Sequence, residues 1–344
     1  MGFSSPSGSL LLLRGSFLPA SEATQARGTW MYTFIVKRIL QMVIVLFIVS
    51  IAVFSLILLI PGDVATAVLG LDATEKDIQI VREKLGLDEP VYIQYLKWLG
   101  NVLQGDFGRS LTTKLPVSLL FAQRIPFTIQ LAVLGMLLAV IIGVPAGIIA
   151  ARRQNSLIDM ILRAVSTVGM AMPNFWLGIL LILVFSLWLR WLPSSGVVSI
   201  RESFWGWLGA MILPAVTIGA RFTAVVVRQT RSAMLEVLRT DYVRTARAKG
   251  LSELNVTGSH ALRNALIPVV TVIGLQTGRL FGGAVITETI FNLPGMGSLI
   301  AVGVSQRDFV VVQGGVMIAA VAVLGINLIV DILYAVLDPR IRYG

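Results

Sequence analysis

Cysteine is missing from this chain, histidine occurs once, and charge is scarce. With no cysteine in 344 residues, disulfides and thiolate metal sites are excluded. His260 is the single histidine; without a neighbouring Cys or His it makes no metal centre. Charged residues are 13% of the chain, against about 25% in soluble domains. Acidic residues are the scarcer sign, 18 against 28 Lys and Arg. No Gly-x-x-x-x-Gly-Lys-Ser/Thr stretch occurs, so the usual phosphate loop for hydrolysing ATP is lacking. The apolar stretches hold no paired acid/base carboxylates, nucleophile triad or metal-ligand cluster. An intramembrane enzyme is therefore a distant reading, and neither metal nor cofactor is expected on this chain.

What is plentiful is apolar. Hydrophobic residues reach 56% and mean hydropathy is +0.84, which reads as a polytopic membrane protein in a lipid bilayer. The net charge of +10 would suit nucleic acid. Much of the excess instead flanks apolar runs, as the positive-inside rule expects, so no nucleic-acid partner is expected.

Along the chain the pattern predicts an all-α bundle of six spans, near 39–60, 127–150, 157–192, 208–227, 266–290 and 311–337. An uncharged run of this kind crosses about 30 Å of hydrocarbon. Residues 1–30, rich in Ser, Gly, Ala and Thr, read as a disordered extension. The segment 61–125 has nearly balanced charge and reads as an external subdomain, with helices over Thr74–Leu85 and Glu89–Leu103. Lys37 and Arg38 before the first span, and Arg152 and Arg153 after the second, put those ends in the cytoplasm and give both termini the same side. Gly143 and Gly147 form a small-xxx-small pair. Pro173 and Asn174 interrupt the third span; a kinked helix is expected, with a re-entrant break as the alternative. Trp188, Trp191, Trp205 and Trp207 suit an interface belt.

The fifth span carries Gly274, Gly278 and Gly282 at every fourth residue, with Gln276, Arg279 and Gly283 displaced from that stripe. An intramembrane arginine faces protein or water, so Asn174, Gln276, Arg279 and Gly283 are candidates to line a pathway. Tight packing with an outward-snorkelling arginine is the competing reading. A proton-coupled carrier keeps carboxylates in mid-membrane. Here Glu288 and Asp331 are the candidates, and both fall near span ends.

The most polar interruption lies between spans four and five, within 231–263. Val243, Ala246, Gly250, Leu251 and Leu254 recur at helical spacing over 241–258, and Arg244, Arg247 and Lys249 point elsewhere. Ala246 and Gly250 carry almost no side chain, so a partner's surface could approach closely there. A solvated basic loop that only fixes orientation is the alternative.

The text RTARAKGLSELNVTGSHALRNALIPVVT resembles the cytoplasmic coupling segment of permease subunits in bacterial ABC importers, closest to the B-type permease of dipeptide and oligopeptide systems. The broad motif begins Glu-Ala-Ala with a glycine four residues after the second alanine; here those positions hold Arg244, Thr245, Ala246 and Gly250. The departure at Arg244 and Thr245 resembles the peptide-type variant. LGLDEPVYIQYLKWLGNVLQGDFGRSL resembles that family's external region, MAMPNFWLG its third-span landmark, and ETIFNLPGMGSLI, from Glu288, its external turn, with Phe291, Pro294, Gly295 and Gly297 matching. The resemblance runs from Met31 to Gly344. It implies a type I importer permease fold in the bacterial inner membrane, with coupling to ATPases through Arg244, Thr245, Ala246, Ala248, Gly250 and Leu251. It implies four partners: a second homologous permease, two cytoplasmic ATP-binding subunits and an extracytoplasmic solute-binding protein. ATP hydrolysis would lie on the partners. Short peptides are the expected cargo, with glutathione or nickel chelates as alternatives. From another class, a self-contained secondary carrier would not require a small-faced basic helix between spans four and five.

Overall fold

The computed structural model describes residues 20–58, 74–76, 79, 82–83 and 88–337. Residues 1–19 of the expected extension, half of the helix expected at Thr74–Leu85 and residues 338–344 lie outside them. The chain divides into two units, 1–44 and 45–344. In the first, the described residues belong to α1 (Ala20–Leu58), where the Arg38 guanidinium lies 5.5 Å over the Phe34 ring.

The second unit continues α1 and adds α2 (Val91–Leu103), α3 (Val117–Arg152), α4 (Leu157–Ala171) and α5 (Asn174–Leu181), which runs on to Trp188 as a π-helical stretch. Next come α6 (Phe204–Leu238), α7 (Asp241–Ala248), α8 (Leu262–Ile290), α9 (Met296–Ser305) and α10 (Phe309–Leu337). Two short turns, Glu253–Asn255 and the π-helical Val256–Ala261, lead into α8. Among the described residues β structure is limited to an isolated bridge between Arg109 and Pro116. Five helices are long and apolar enough to cross a membrane, six when the pair α4–α5 counts as one span. The fold is the all-α membrane bundle expected.

Three boundaries move. Residues 20–30, expected in a disordered extension, are the first turns of α1. Residues 117–125, expected in the external subdomain, are the first turns of α3. Residues 228–238, expected outside the fourth span, continue α6 unbroken. Residues 228–238 hold neither Gly nor Pro, so the α6 hydrogen-bond ladder continues into them, whereas α3 runs through Pro126, which lies inside the helix.

Helices α3 and α6 pack most closely. A Cβ on Gly147 would stand 2.5 Å from Thr230 Cβ and 2.8 Å from the Val227 carbonyl oxygen. One on Gly143 would stand 2.8 Å from Val226 Cγ1, and one on Gly219 2.8 Å from the Gly135 carbonyl oxygen. Backbone therefore lies on backbone, and Leu131, Ala139, Met211, Ile218 and Phe222 fill the space beside the contact. Lipid tails are as apolar as these side chains, so close van der Waals contact has to supply the association. The glycine stripe of α8 is used in part: Gly274 meets Val330 and Gly278 meets Asn327 of α10, whereas Gly282 has open space.

The third span breaks more sharply than a kink. α4 and α5 meet at 109°. Met172 (φ −73, ψ 125) and Pro173 (φ −64, ψ 136) are both extended. Proline drives the residue before it out of the helical region, so two successive residues redirect the chain. Contacts still advance steadily along α6. Asp159 meets Arg231, a Cβ on Gly169 would meet Ala224, and one on Gly178 would meet Thr217. That progression belongs to one broken crossing rather than a re-entrant return. Trp207 also departs from expectation. It is buried and its Nε1–H donates to Gln130 Oε1 at 2.7 Å, while Trp188, Trp191 and Trp205 stay exposed.

The segment between α1 and α3 is tied down by side chains. Ser50 and the Tyr95 hydroxyl are 2.7 Å apart, and Phe54 packs edge-on to Tyr95 at 5.5 Å. Asp308, just before α10, accepts from the Ser110 hydroxyl, from Thr112 N–H and from Val311 N–H. Burial opposes ionisation of Asp308, but these hydrogen bonds outweigh it and hold the carboxyl below the usual range.

The glycine seam makes a direct test. Gly147→Ala should destabilise the folded protein by about 1–3 kcal/mol and lower its melting temperature in detergent. Gly209→Ala, where nothing lies within 4 Å of the added carbon, should not. Equal melting temperatures would mean that the seam yields without cost.

Candidate functional site

α7 is eight residues long, too short to hold itself together in water. Its stability comes from its own chain. Val243 and Ala246 are buried against Val256, with Val237 and Leu238 of α6 packed beside them. Arg247 donates to both carboxylate oxygens of Glu253, at 2.8 and 3.4 Å. Asn264 Nδ2 donates to the Tyr242 hydroxyl at 2.8 Å, pinning α7 to the start of α8.

The single face expected for Val243, Ala246, Gly250, Leu251 and Leu254 is split. Val243 and Ala246 turn inward; Gly250, Leu251 and Leu254 are exposed. The cause is the helix end. Gly250 has φ +78, its N–H bonds to the Arg247 carbonyl at 2.9 Å, and the Leu251 N–H reaches the Ala246 carbonyl at 3.4 Å. This pair of bonds around a left-handed glycine is the Schellman stop. Beyond it helical periodicity no longer sets direction. The outward residues of α7 are Asp241, Arg244, Thr245 and Ala248, spaced i, i+3, i+4 and i+7. Ala248 is thus the small residue facing out.

Of the pathway candidates, Asn174 and Gly283 come together. A Cβ on Gly283 would lie 3.7 Å from Asn174 Nδ2. Gln276 is half-buried two turns earlier on α8. The side chain of Arg279 lies outside the described residues.

The turn from Glu288 to Gly297 is a packed joint. Glu288 is 1% exposed. Its carboxylate accepts from the Thr128 hydroxyl of α3 at 2.6 Å and from Ser298 N–H at 2.9 Å. The Thr128 oxygen also accepts from Met296 N–H at 2.9 Å. The first amides of α9 are thereby satisfied by side chains from two other helices. Gly295, the residue before α9, has no side chain to offer, and none would fit: a Cβ there falls on the Glu288 carboxyl group. Gly297 is buried against Val285, and Phe291 is buried against Gly178. Pro294 is half-buried.

One pair was not anticipated from the sequence. Asp159, fully buried, receives a bidentate Arg231 at 2.6 and 2.8 Å. It also accepts Asn155 N–H, and its own N–H reaches Ser156 Oγ. The Ser-x-x-Asp start of α4 was a legible capping signal; the partner 72 residues away was not.

Gly295→Ala should cut the yield of folded protein severely, because the added carbon and the Glu288 carboxyl cannot share one place. Gly282→Ala should be silent. Fluorescence-detected size exclusion of both variants measures the difference, and indistinguishable profiles would show that Glu288 has room to move.

Comparison with known proteins agrees with this architecture. Residues 143–343 match the family described as "Binding-protein-dependent transport system inner membrane component", and residues 31–132 match "Binding-prot-dependent transport system membrane comp, N-term". The chain is 42% identical to "Probable peptide ABC transporter permease protein y4tP" of Sinorhizobium fredii, over 91% of this chain and 100% of that one. It is 44% identical to "Glutathione transport system permease protein GsiC" of Escherichia coli K12, with the same coverage. It is also 44% identical to "Di/tripeptide transport system permease protein DppB" of Pseudomonas aeruginosa, over 91% and 99%. Among solved structures, an inward-facing MetNI methionine ABC transporter superposes with TM-score 0.53 at 16% identity, covering 64% of this chain and 96% of that one; this likeness concerns the fold. The chain belongs to the family of binding-protein-dependent transport system inner membrane components.

Proposed function

We propose that this chain is the permease subunit of an ATP-driven importer of short peptides, and that α7 is its docking element for a cytoplasmic ATPase. One observation carries the docking: a short helix is fastened along one side to α6 and the start of α8 and presents Arg244, Thr245 and Ala248 on the other. Such an element passes a push from a soluble partner into two spans without bending. The working assembly adds a second homologous permease, two ATP-binding subunits and an external solute-binding protein. ATP is hydrolysed on the partners. Peptide cargo is supported by relatives whose names specify peptides, di/tripeptides and glutathione; glutathione, itself a small peptide, is the near alternative. Asn174 and Gly283, with Gln276 and Arg279 along α8, line the route, and the turn from Glu288 to Gly297 closes its outer end.

Ala248→Trp tests the docking. Position 248 is exposed, so the fold should survive. Bulk on a packed interface costs about 1–3 kcal/mol, which corresponds to roughly tenfold to a hundredfold weaker binding of the ATPases. Ser259→Trp, also exposed, serves as control. Ala246→Trp should instead destabilise the chain itself. Normal co-purification and uptake for Ala248→Trp would remove α7 from the interface.

Orientation follows from the same reading: both termini and α7 face the cytoplasm. The chain has no native cysteine, so single cysteines label without background. Cysteine at Asn101 or Ser199 should react with an impermeant maleimide in intact cells, and cysteine at Asn155 or Ser252 should react only after lysis. Labelling at 252 from outside would reverse the topology.

A further inference from the structure

A cleft of about 550 Å³ opens between α3, α4 and α6, at the end of the bundle that carries α7. Arg163 of α4 and Arg228 and Arg231 of α6 line it, with Ser232 beside them. Its remaining lining includes Met170, Ala171 and Val227. Charge here is unbalanced. Asp159 is the acidic partner, and its two oxygens are engaged by Arg231. Arg163 approaches the same carboxylate only at 3.5 Å, with half of its side chain exposed. Arg228 has no acidic group in ion-pair range among the described residues. The cleft thus holds three guanidinium groups to one carboxylate, beside apolar side chains that hydrate nothing.

We propose that this cleft binds a phosphate group, and that an anionic phospholipid supplies it. Guanidinium groups match phosphate oxygens in geometry and charge, and basic clefts between membrane helices are suited to anionic headgroups. The apolar surroundings select the lipid as source. Within the cleft, Met170, Ala171 and Val227 form an apolar wall beside the arginines. An acyl chain lying against this wall packs on apolar side chains while its headgroup meets Arg163 and Arg228. A free phosphate gains the charges alone. Arg231 stays committed to Asp159 and shapes the floor of the site. The proposal is independent of docking at α7.

Native mass spectrometry of the detergent-purified full chain, offered equal amounts of phosphatidylglycerol and phosphatidylcholine, tests it. Phosphatidylglycerol should be retained in roughly tenfold preference, the scale of one charge-assisted hydrogen bond. Arg163→Gln with Arg228→Gln should bring the ratio to about one, while the paired lysine variants keep the preference. Unchanged melting temperatures without lipid would show that the glutamine variants fold. The proposal fails if the native chain shows no preference or if the preference survives both glutamines. Inorganic phosphate that displaces the lipid at equal concentration would make free phosphate the ligand and the lipid assignment wrong. Loss of a co-purifying second permease with an unchanged lipid ratio would make the cleft a protein interface, which also overturns it.

Discussion

Glu288 is the residue on which the outer end of the bundle depends. Burying a carboxylate is costly unless its oxygens are satisfied. Here the Thr128 hydroxyl and the Ser298 amide meet it, and Thr128 passes its second bond to Met296. One group therefore ties the end of α8 to α3 and caps α9. The helix that results could not start itself, since Gly295 stands where a capping side chain would normally be. The amide end of α9 in turn suits the acceptor oxygens placed against it. Glycine at 295 and glutamate at 288 are two halves of one solution, because any larger residue at 295 would occupy the carboxyl's place.

The same economy of side chains governs the α3–α6 seam. Thr128 lies two turns from Gly135, which touches Gly219; further along, Gly143 and Gly147 meet Val226 and Thr230. Past Thr230, α6 continues to Val237 and Leu238, which pack against α7. The outer joint and α7 are therefore connected by one stretch of closely packed helix. Such packing resists gradual deformation. α3 and α6 meet through Gly135, Gly143, Gly147 and Gly219, so the two helices form one closely packed unit.

Much of this was legible in the sequence, for identifiable reasons. Apolar runs reveal spans because hydrocarbon leaves no alternative to an internally bonded helix. Gly143 and Gly147 reveal a contact because nothing else explains glycine one turn apart in such a run. Gly250 misled in an instructive way. Its smallness suggested a bare docking surface, but its backbone angle shows that it is there to end a helix. A missing side chain and a left-handed backbone look identical in a sequence. Asp159 with Arg231, and Glu288 with Thr128, were hidden for another reason. Each joins residues far apart in the chain, and spacing within one helix carries no information about them.

α7 illustrates how tertiary demands reassign residues that periodicity groups together. Eight residues form at most two turns, and nucleation alone makes such a helix unfavourable in water. Something apolar must hold it, and Val243 and Ala246 are the inward residues able to do so. Ala246 is small because α7 lies close to Val256 and the end of α6, not because a partner needs room there. The opposite side stays exposed, where Thr245 and Ala248 are short and Arg244 supplies charge. Arg247, held by Glu253, adds a brace between α7 and the turn that leads into α8. A force applied to the outer side thus meets apolar packing on α6 and an ion pair toward α8, and it divides between the two spans that α7 connects.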